Sequence, residues 1–238
     1  MLISVNTRRL IGMLSVVFAA GWAVPAWSEP SAPPLSPAGD RWAEALAAFA
    51  AADKKQAPVP GGVLFVGSSS IRLWDGLETQ FSDAPVVLKR GFGGSRLSDC
   101  VRHLDQLVIG YRPRVVLLYA GDNDLAEGST PEEILERVKA FSSGVHAQLP
   151  ETKIAFISIK PSPARSALIG KVRAANKLVK QYADEHPQVD YIDVFTPMLG
   201  PDGRPRAELF SEDQLHLSAA GYRLWQSVIG PHLSPPAH

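Results

Sequence analysis

Apolar positions in this chain gather in short unbroken runs separated by amphipathic stretches. The runs are VLFV at 63–66, PVVLK at 85–89, RVVLLYA at 114–120, KIAFISI at 153–159 and VDYIDV at 189–194. Helical periodicity predicts helices near residues 70–79, 97–108, 131–147, 165–185 and 217–229. A further helix precedes the first run: Trp42, Ala45, Leu46 and Phe49 recur at i, i+3, i+4 and i+7, Asp40 stands as its N-cap, and Pro58 lies beyond its end. Strands that are apolar on both sides need cover on both faces, and alternation with helices needs crossovers in a parallel sheet. The pattern predicts an α/β fold, a three-layer α/β/α sandwich around a parallel sheet of about five strands.

In such a sheet, ligands bind beyond the carboxyl ends of the strands. The residues expected there are Gly67-Ser68-Ser69-Ser70, Gly91-Phe92-Gly93-Gly94-Ser95, Gly121-Asp122-Asn123-Asp124 and Pro161-Ser162-Pro163. Most of these loops combine glycine with hydrogen-bonding side chains, which is unusual for plain connectors. Around them, Trp74, Phe92, Arg96 and the KPSPAR segment at 160–165 are expected to shape a pocket.

Composition changes the picture mainly at the N-terminus. In MLISVNTRRLIGMLSVVFAAGWAVPAWSEP, Arg8 and Arg9 precede an apolar stretch from Leu10 to Val24, and the small residues Ala26 and Ser28 follow. This predicts a signal peptide over residues 1–28 with Glu29 as first mature residue, a cut after Ala26 being the alternative. The stretch is short for a membrane span, so a periplasmic or secreted protein without stable membrane insertion after signal removal is expected. Residues 29–39, EPSAPPLSPAG, read as a proline-rich linker, and residues 40–238 as one domain.

Lys plus Arg and Asp plus Glu are both 24, and no block of like charge stands out. Nucleic acids and anionic membranes call for concentrated basic charge, so a small or neutral partner is expected and no nucleic acid. Cys100 is the single cysteine, which excludes an internal disulfide in an oxidising compartment. The six histidines lack His-x-His or His-x3-His spacing, so the sequence supports no metal site.

A serine hydroxyl becomes a nucleophile when a base takes its proton, and the base works best when a third group fixes its tautomer. Near the C-terminus, SEDQLHLSAAGYRLW places Asp213 three residues before His216. In a tight turn that spacing lets the carboxylate accept from Nδ1 while Nε2 faces a serine. A tetrahedral intermediate needs donors for its oxyanion. Gly94 and the Asn123 side chain are candidates, with the amide of Ser69 as a third. Ser68 or Ser70 is expected to cap the helix that follows.

The blocks GSSSIRLW, RGFGGS, GDND and DQLH, in that order between Val63 and Trp225, resemble those of the SGNH (GDSL-type) hydrolase superfamily. The resemblance maps the nucleophile onto Ser69, the block-two glycine onto Gly94, the block-three asparagine onto Asn123 and the dyad onto Asp213 and His216. It implies a flavodoxin-like sandwich that hydrolyses esters or thioesters with no metal or organic cofactor. One departure is Ser68, where family members commonly carry Asp. The resulting expectation is an exported serine esterase acting through an acyl-enzyme on short-chain or acetyl esters, with a small-molecule ester or an acylated carbohydrate or lipid as substrate. Acyl transfer to a sugar hydroxyl, lysophospholipase or thioesterase activity, and a non-catalytic glycan-binding module are the alternatives.

Overall fold

The computed structural model of the protein describes residues 41–81, 84 and 87–233. The expected leader (1–28), the linker (29–39) and the Asp40 cap lie outside the described residues. Strands β1 (Val63–Gly67), β2 (Val87–Gly91), β3 (Val115–Tyr119), β4 (Lys153–Ile157) and β5 (Val189–Ile192) form one sheet in the order β2-β1-β3-β4-β5. Every neighbouring pair is parallel, with Val63 opposite both Val87 and Val115. The helices are α1 (Ala43–Lys55), α2 (Ser69–Arg72), α3 (Leu97–Arg102), α4 (Leu104–Leu107), α5 (Asp122–Ala126), α6 (Pro131–Gln148), α7 (Ile169–Glu185) and α8 (Ala219–Ile229).

The inner strands β1 and β3 are buried at every position because successive side chains enter two different cores. Leu64, Val66, Val116, Leu118, Ile154 and Phe156 join one cluster with residues of α1, α3, α6 and α7. Val63, Phe65, Val115, Leu117, Tyr119, Ala155 and Ile157 join the other, with Trp74 and the α8 residues Trp225 and Ile229. The expected three-layer sandwich is therefore present. Trp225 packs on Tyr119 and Trp74 with ring centroids 4.9 and 5.9 Å apart, contacts worth about 0.5–1.5 kcal/mol each beyond burial. They hold α8, and the loop that precedes it, against the sheet. Cys100 of α3 is fully buried in the first cluster, and burial pushes its thiol up.

Several boundaries differ from the sequence reading. Trp42 occupies the N-cap position of α1, with no side-chain cap hydrogen bond. The helix expected over 70–79 is the single turn α2 followed by a 3-10 turn at Leu77–Thr79, because Gly76 takes a left-handed conformation between them. The helix expected over 97–108 breaks at His103, and α7 begins only after a 3-10 segment, Pro163–Leu168, with Pro at its start. Helix α6 matches its expected span and is closed at its N-terminus by a Thr130/Glu133 capping box ahead of Pro131.

Candidate active site

Strand β1 lies between β2 and β3, so the strand order reverses beside it, and the crevice beyond its carboxyl end is where such sheets hold ligands. Ser69 follows β1, Gly94 follows β2, Asn123 follows β3, and Asp213 and His216 precede α8. Ser69, Gly94, Asn123 and His216 line one cleft of about 390 Å³, together with Arg72 and Leu215, and Asp213 joins the site through His216.

The three serines differ in exposure. Gly67 has φ +146°, and a Cβ there would lie 1.8 Å from the Tyr119 carbonyl oxygen. Only glycine lets β1 turn this close to β3. The turn leaves Ser68 and Ser70 fully buried and Ser69 half-buried at the cleft. Ser68 sits at the N-cap of α2 without a side-chain cap bond, and Ser70 lies inside the helix, so neither hydroxyl acts as the expected cap. Ser69 opens α2, and first-turn amides of a helix have no intrahelical acceptor.

His216 is held in a tight turn. Asp213 Oδ1 accepts from the backbone amides of Leu215 and His216 and from Ser211 Oγ, each at 2.9 Å. Gln214, between them, has φ +53°. The amides of His216 and Leu215, with the imidazole, hold the Asp213 carboxyl well below the usual carboxylate range. An ionised carboxylate only accepts hydrogen bonds, so the 2.6 Å contact from His216 Nδ1 to Asp213 Oδ2 places the ring proton on Nδ1. Nε2 is then the acceptor, 3.1 Å from Ser69 Oγ. A donor-acceptor chain runs from hydroxyl through imidazole to carboxylate.

Gly94 has φ +77°, and its N–H meets no acceptor among the described residues. Asn123 is half-buried, donates from Nδ2 to the Ser95 carbonyl at 3.0 Å and accepts at Oδ1 from Arg165 Nη2 at 2.9 Å. These two bonds orient the amide. The second Nδ2 hydrogen, the Gly94 amide and the Ser69 amide are thus donors at one cleft. This set could accept a proton from a hydroxyl and stabilise a nearby negative charge.

The sequence reading named Asp122 and the 160–165 segment near the site but not the cluster they form behind Asn123. Asp122, Lys160 and Tyr119 form a buried cluster: Lys160 Nζ donates to Asp122 Oδ2 at 2.8 Å and to the Tyr119 hydroxyl at 3.0 Å. Burial pushes Asp122 up, but Lys160 and Arg165 outweigh it and hold the carboxyl below its usual range. Burial pushes Lys160 down, but Asp122 outweighs it and raises the ammonium. Burial also raises Tyr119 to about 12. Asp124 accepts from the Leu97 amide and from Arg137, tying α5 to α3 and α6.

The expected pocket walls need correction. Trp74 and Phe92 are fully buried in the two cores, and Arg96 pairs with Asp99 and Glu127. Of that set, the KPSPAR segment alone reaches Asn123, through Arg165. Arg72 and Leu215 line the cleft instead.

The sequence profile of the GDSL-like Lipase/Acylhydrolase family matches residues 64–224, a span that includes every block discussed. No curated protein gives a significant match. Among solved structures, a proposed platelet activating factor from Streptococcus pneumonia is similar at 23% identity and TM-score 0.71, over 80% of this chain and 91% of that one. A GDSL-like lipase from Bacteroides thetaiotaomicron is similar at 18% identity and TM-score 0.67, over 79% and 96%. A carbohydrate esterase family 3 protein from Talaromyces cellulolyticus is similar at 16% identity and TM-score 0.59, over 73% and 96%.

Proposed function

Because the chain belongs to the GDSL-like lipase/acylhydrolase family, we propose that it is an exported serine esterase that hydrolyses short-chain acyl esters, acetylated carbohydrates foremost, through an acyl-enzyme. The observation that carries the reading is the unbroken line from Ser69 Oγ to His216 Nε2 at 3.1 Å and from His216 Nδ1 to Asp213 at 2.6 Å.

Ser69 Oγ attacks the ester carbonyl while His216 Nε2 takes its proton. The carbonyl oxygen becomes an oxyanion facing the amides of Ser69 and Gly94 and the Asn123 Nδ2 donor. Collapse expels the alcohol, which leaves with the proton from His216, and the acyl group stays on Ser69. Water then attacks, giving its proton to His216. Collapse of the second tetrahedral species releases the carboxylic acid and returns the proton to Ser69. Asp213 stays ionised and orients the ring.

The preference for short acyl groups rests on the cleft walls. Among the described residues that line it, Leu215 alone brings an apolar side chain. Each methylene left in water forgoes about 0.8 kcal/mol of burial, so a long chain gains little here. A carbohydrate ester fits the polar walls, and the likeness to a carbohydrate esterase fold is in keeping with it. Export rests on the leader-like residues 1–28 and is checked by N-terminal sequencing of the protein recovered outside the cytoplasm.

The test is hydrolysis of a p-nitrophenyl ester series by the chain lacking residues 1–28. Acetate is expected to turn over faster than octanoate. Ser69→Ala is expected to lose at least about 10³-fold in kcat and to escape labelling by a fluorophosphonate. Full activity in Ser69→Ala, or a label on Ser68 or Ser70, overturns the assignment.

A further inference from the structure

Lys160 to Arg165 leave the end of β4 and run behind the site. We propose that Arg165 is a positioning residue, which sets and polarises the Asn123 amide as an oxyanion donor; this rests on the esterase reading above.

A primary amide has two ends of near-equal shape, C=O and NH2, and its terminal torsion is broad and roughly two-fold. Turned one way, Asn123 offers N–H to the cleft. Turned the other, it offers a carbonyl oxygen, which would repel a developing oxyanion. Arg165 decides between them, because a guanidinium only donates and its Nη2 lies 2.9 Å from Asn123 Oδ1. The Ser95 carbonyl, which only accepts, enforces the same orientation from the Nδ2 side at 3.0 Å. A cation on Oδ1 also draws electron density from the amide and strengthens donation from Nδ2, as hydrogen bonds in a chain polarise one another.

The guanidinium is itself held. Arg165 Nη1 lies 3.4 Å from Asp122 Oδ2, the oxygen that also receives Lys160 Nζ at 2.8 Å. One buried carboxylate thus faces two cations, and Arg165 turns Nη1 toward it while Nη2 donates to Asn123. The same segment is tied to the histidine turn. The Ala164 amide donates to the Gln214 carbonyl at 3.0 Å, and Ser162 Oγ donates to the Leu215 carbonyl at 3.4 Å. The segment therefore spans both halves of the site.

A double-mutant cycle on p-nitrophenyl acetate tests this. Asn123→Ala is expected to lower kcat about 100-fold, as removal of one oxyanion donor does. Arg165→Ala is expected to lower kcat about tenfold with KM changed by less than about twofold, because an interaction made only in the transition state is lost. Arg165→Lys, which keeps charge but not the two-pronged fork, is expected to recover part of the loss. Added guanidinium ion is expected to raise kcat of Arg165→Ala and leave Asn123→Ala unchanged. In the double variant, Arg165→Ala is expected to add less than about twofold to the Asn123→Ala defect, since coupled residues do not act additively. Should Arg165→Ala melt below the assay temperature, Arg165→Met, which keeps the aliphatic stem, enters the same cycle.

Multiplying defects in the double variant overturn the proposal. A raised KM with unchanged kcat also overturns it and makes Arg165 a substrate contact. Activity that survives Ser69→Ala overturns the esterase assignment itself, whereas an inactive Ser69→Ala with an additive cycle overturns only the role of Arg165.

Discussion

Ser69 and His216 lie 147 positions apart in sequence and 3.1 Å apart in space, and each is presented by a backbone feature of its own. Glycine at 67 turns one strand end so that one hydroxyl of three faces the cleft, and the Asp213 turn aims the imidazole. Asp213→Asn isolates the second device. An asparagine at this place donates to Nδ1 through its amide nitrogen, which shifts the ring proton to Nε2 and removes the acceptor that faces Ser69. The expected outcome is a drop of about 10³–10⁴-fold in kcat near neutral pH, with the fold intact. The rate of fluorophosphonate labelling is expected to fall in parallel. Because the wild-type carboxyl is held well below its usual range, mild acid does not reproduce the variant.

Ser69, Gly94, Asn123, Asp213 and His216 were legible in the sequence because few residue types can do their work and each stands at a fixed offset from a glycine or from another member. The pairing of Arg165 and Lys160 with Asp122 was not. Their partnership joins loops after different strands, 38 and 43 positions apart, and a segment expected to shape a pocket does not show in sequence which of its residues pairs with a carboxylate. The available signal was a pair of cations flanking a proline-rich turn at a strand's carboxyl end. Trp74 and Phe92 misled for the opposite reason, since an aromatic beside a site loop and an aromatic in the core are the same letter.

At the level of elements, the strands were visible because the sheet is covered on both faces and each strand carries a run of apolar residues, unbroken in β1 and β3. The breaks at Gly76 and His103 were hidden, because apolar spacing continues across them. The contact of Lys160 with Asp122, which joins the end of β4 to α5, allows a prediction at this scale. Removing one partner of a buried ion pair strands the other charge, so Lys160→Met is expected to destabilise the fold by about 3 kcal/mol near pH 7, read as the urea midpoint. The pH course follows from the two directions. Asp122 is lowered on folding, so its contribution is complete above the ordinary carboxylate value and fades as pH falls through the lower folded value. Lys160 is raised, so its contribution is complete below the ordinary lysine value and fades as pH rises through the higher folded value. In Lys160→Met, burial gains weight over the remaining Arg165, the Asp122 carboxyl moves up, and acid relieves it. The stability gap between wild type and variant is therefore expected to narrow below about pH 4, the ordinary carboxylate value.

For the molecule as a whole, the sheet divides two cores, and the cleft sits at the edge where neither core reaches. The chain has one thiol, and the fold places it in the interior of the α3 layer, with burial disfavouring the reactive thiolate. Ellman's reagent is expected to find no thiol in the native protein and one per chain in denaturant. Between those limits, modification proceeds only through molecules that have opened. With an ordinary stability of about 5–15 kcal/mol, fewer than about one molecule in 10³ is open at any instant. Cys100 is thus a built-in clock: the rate at which colour develops reads out how often the interior is exposed, with no label attached.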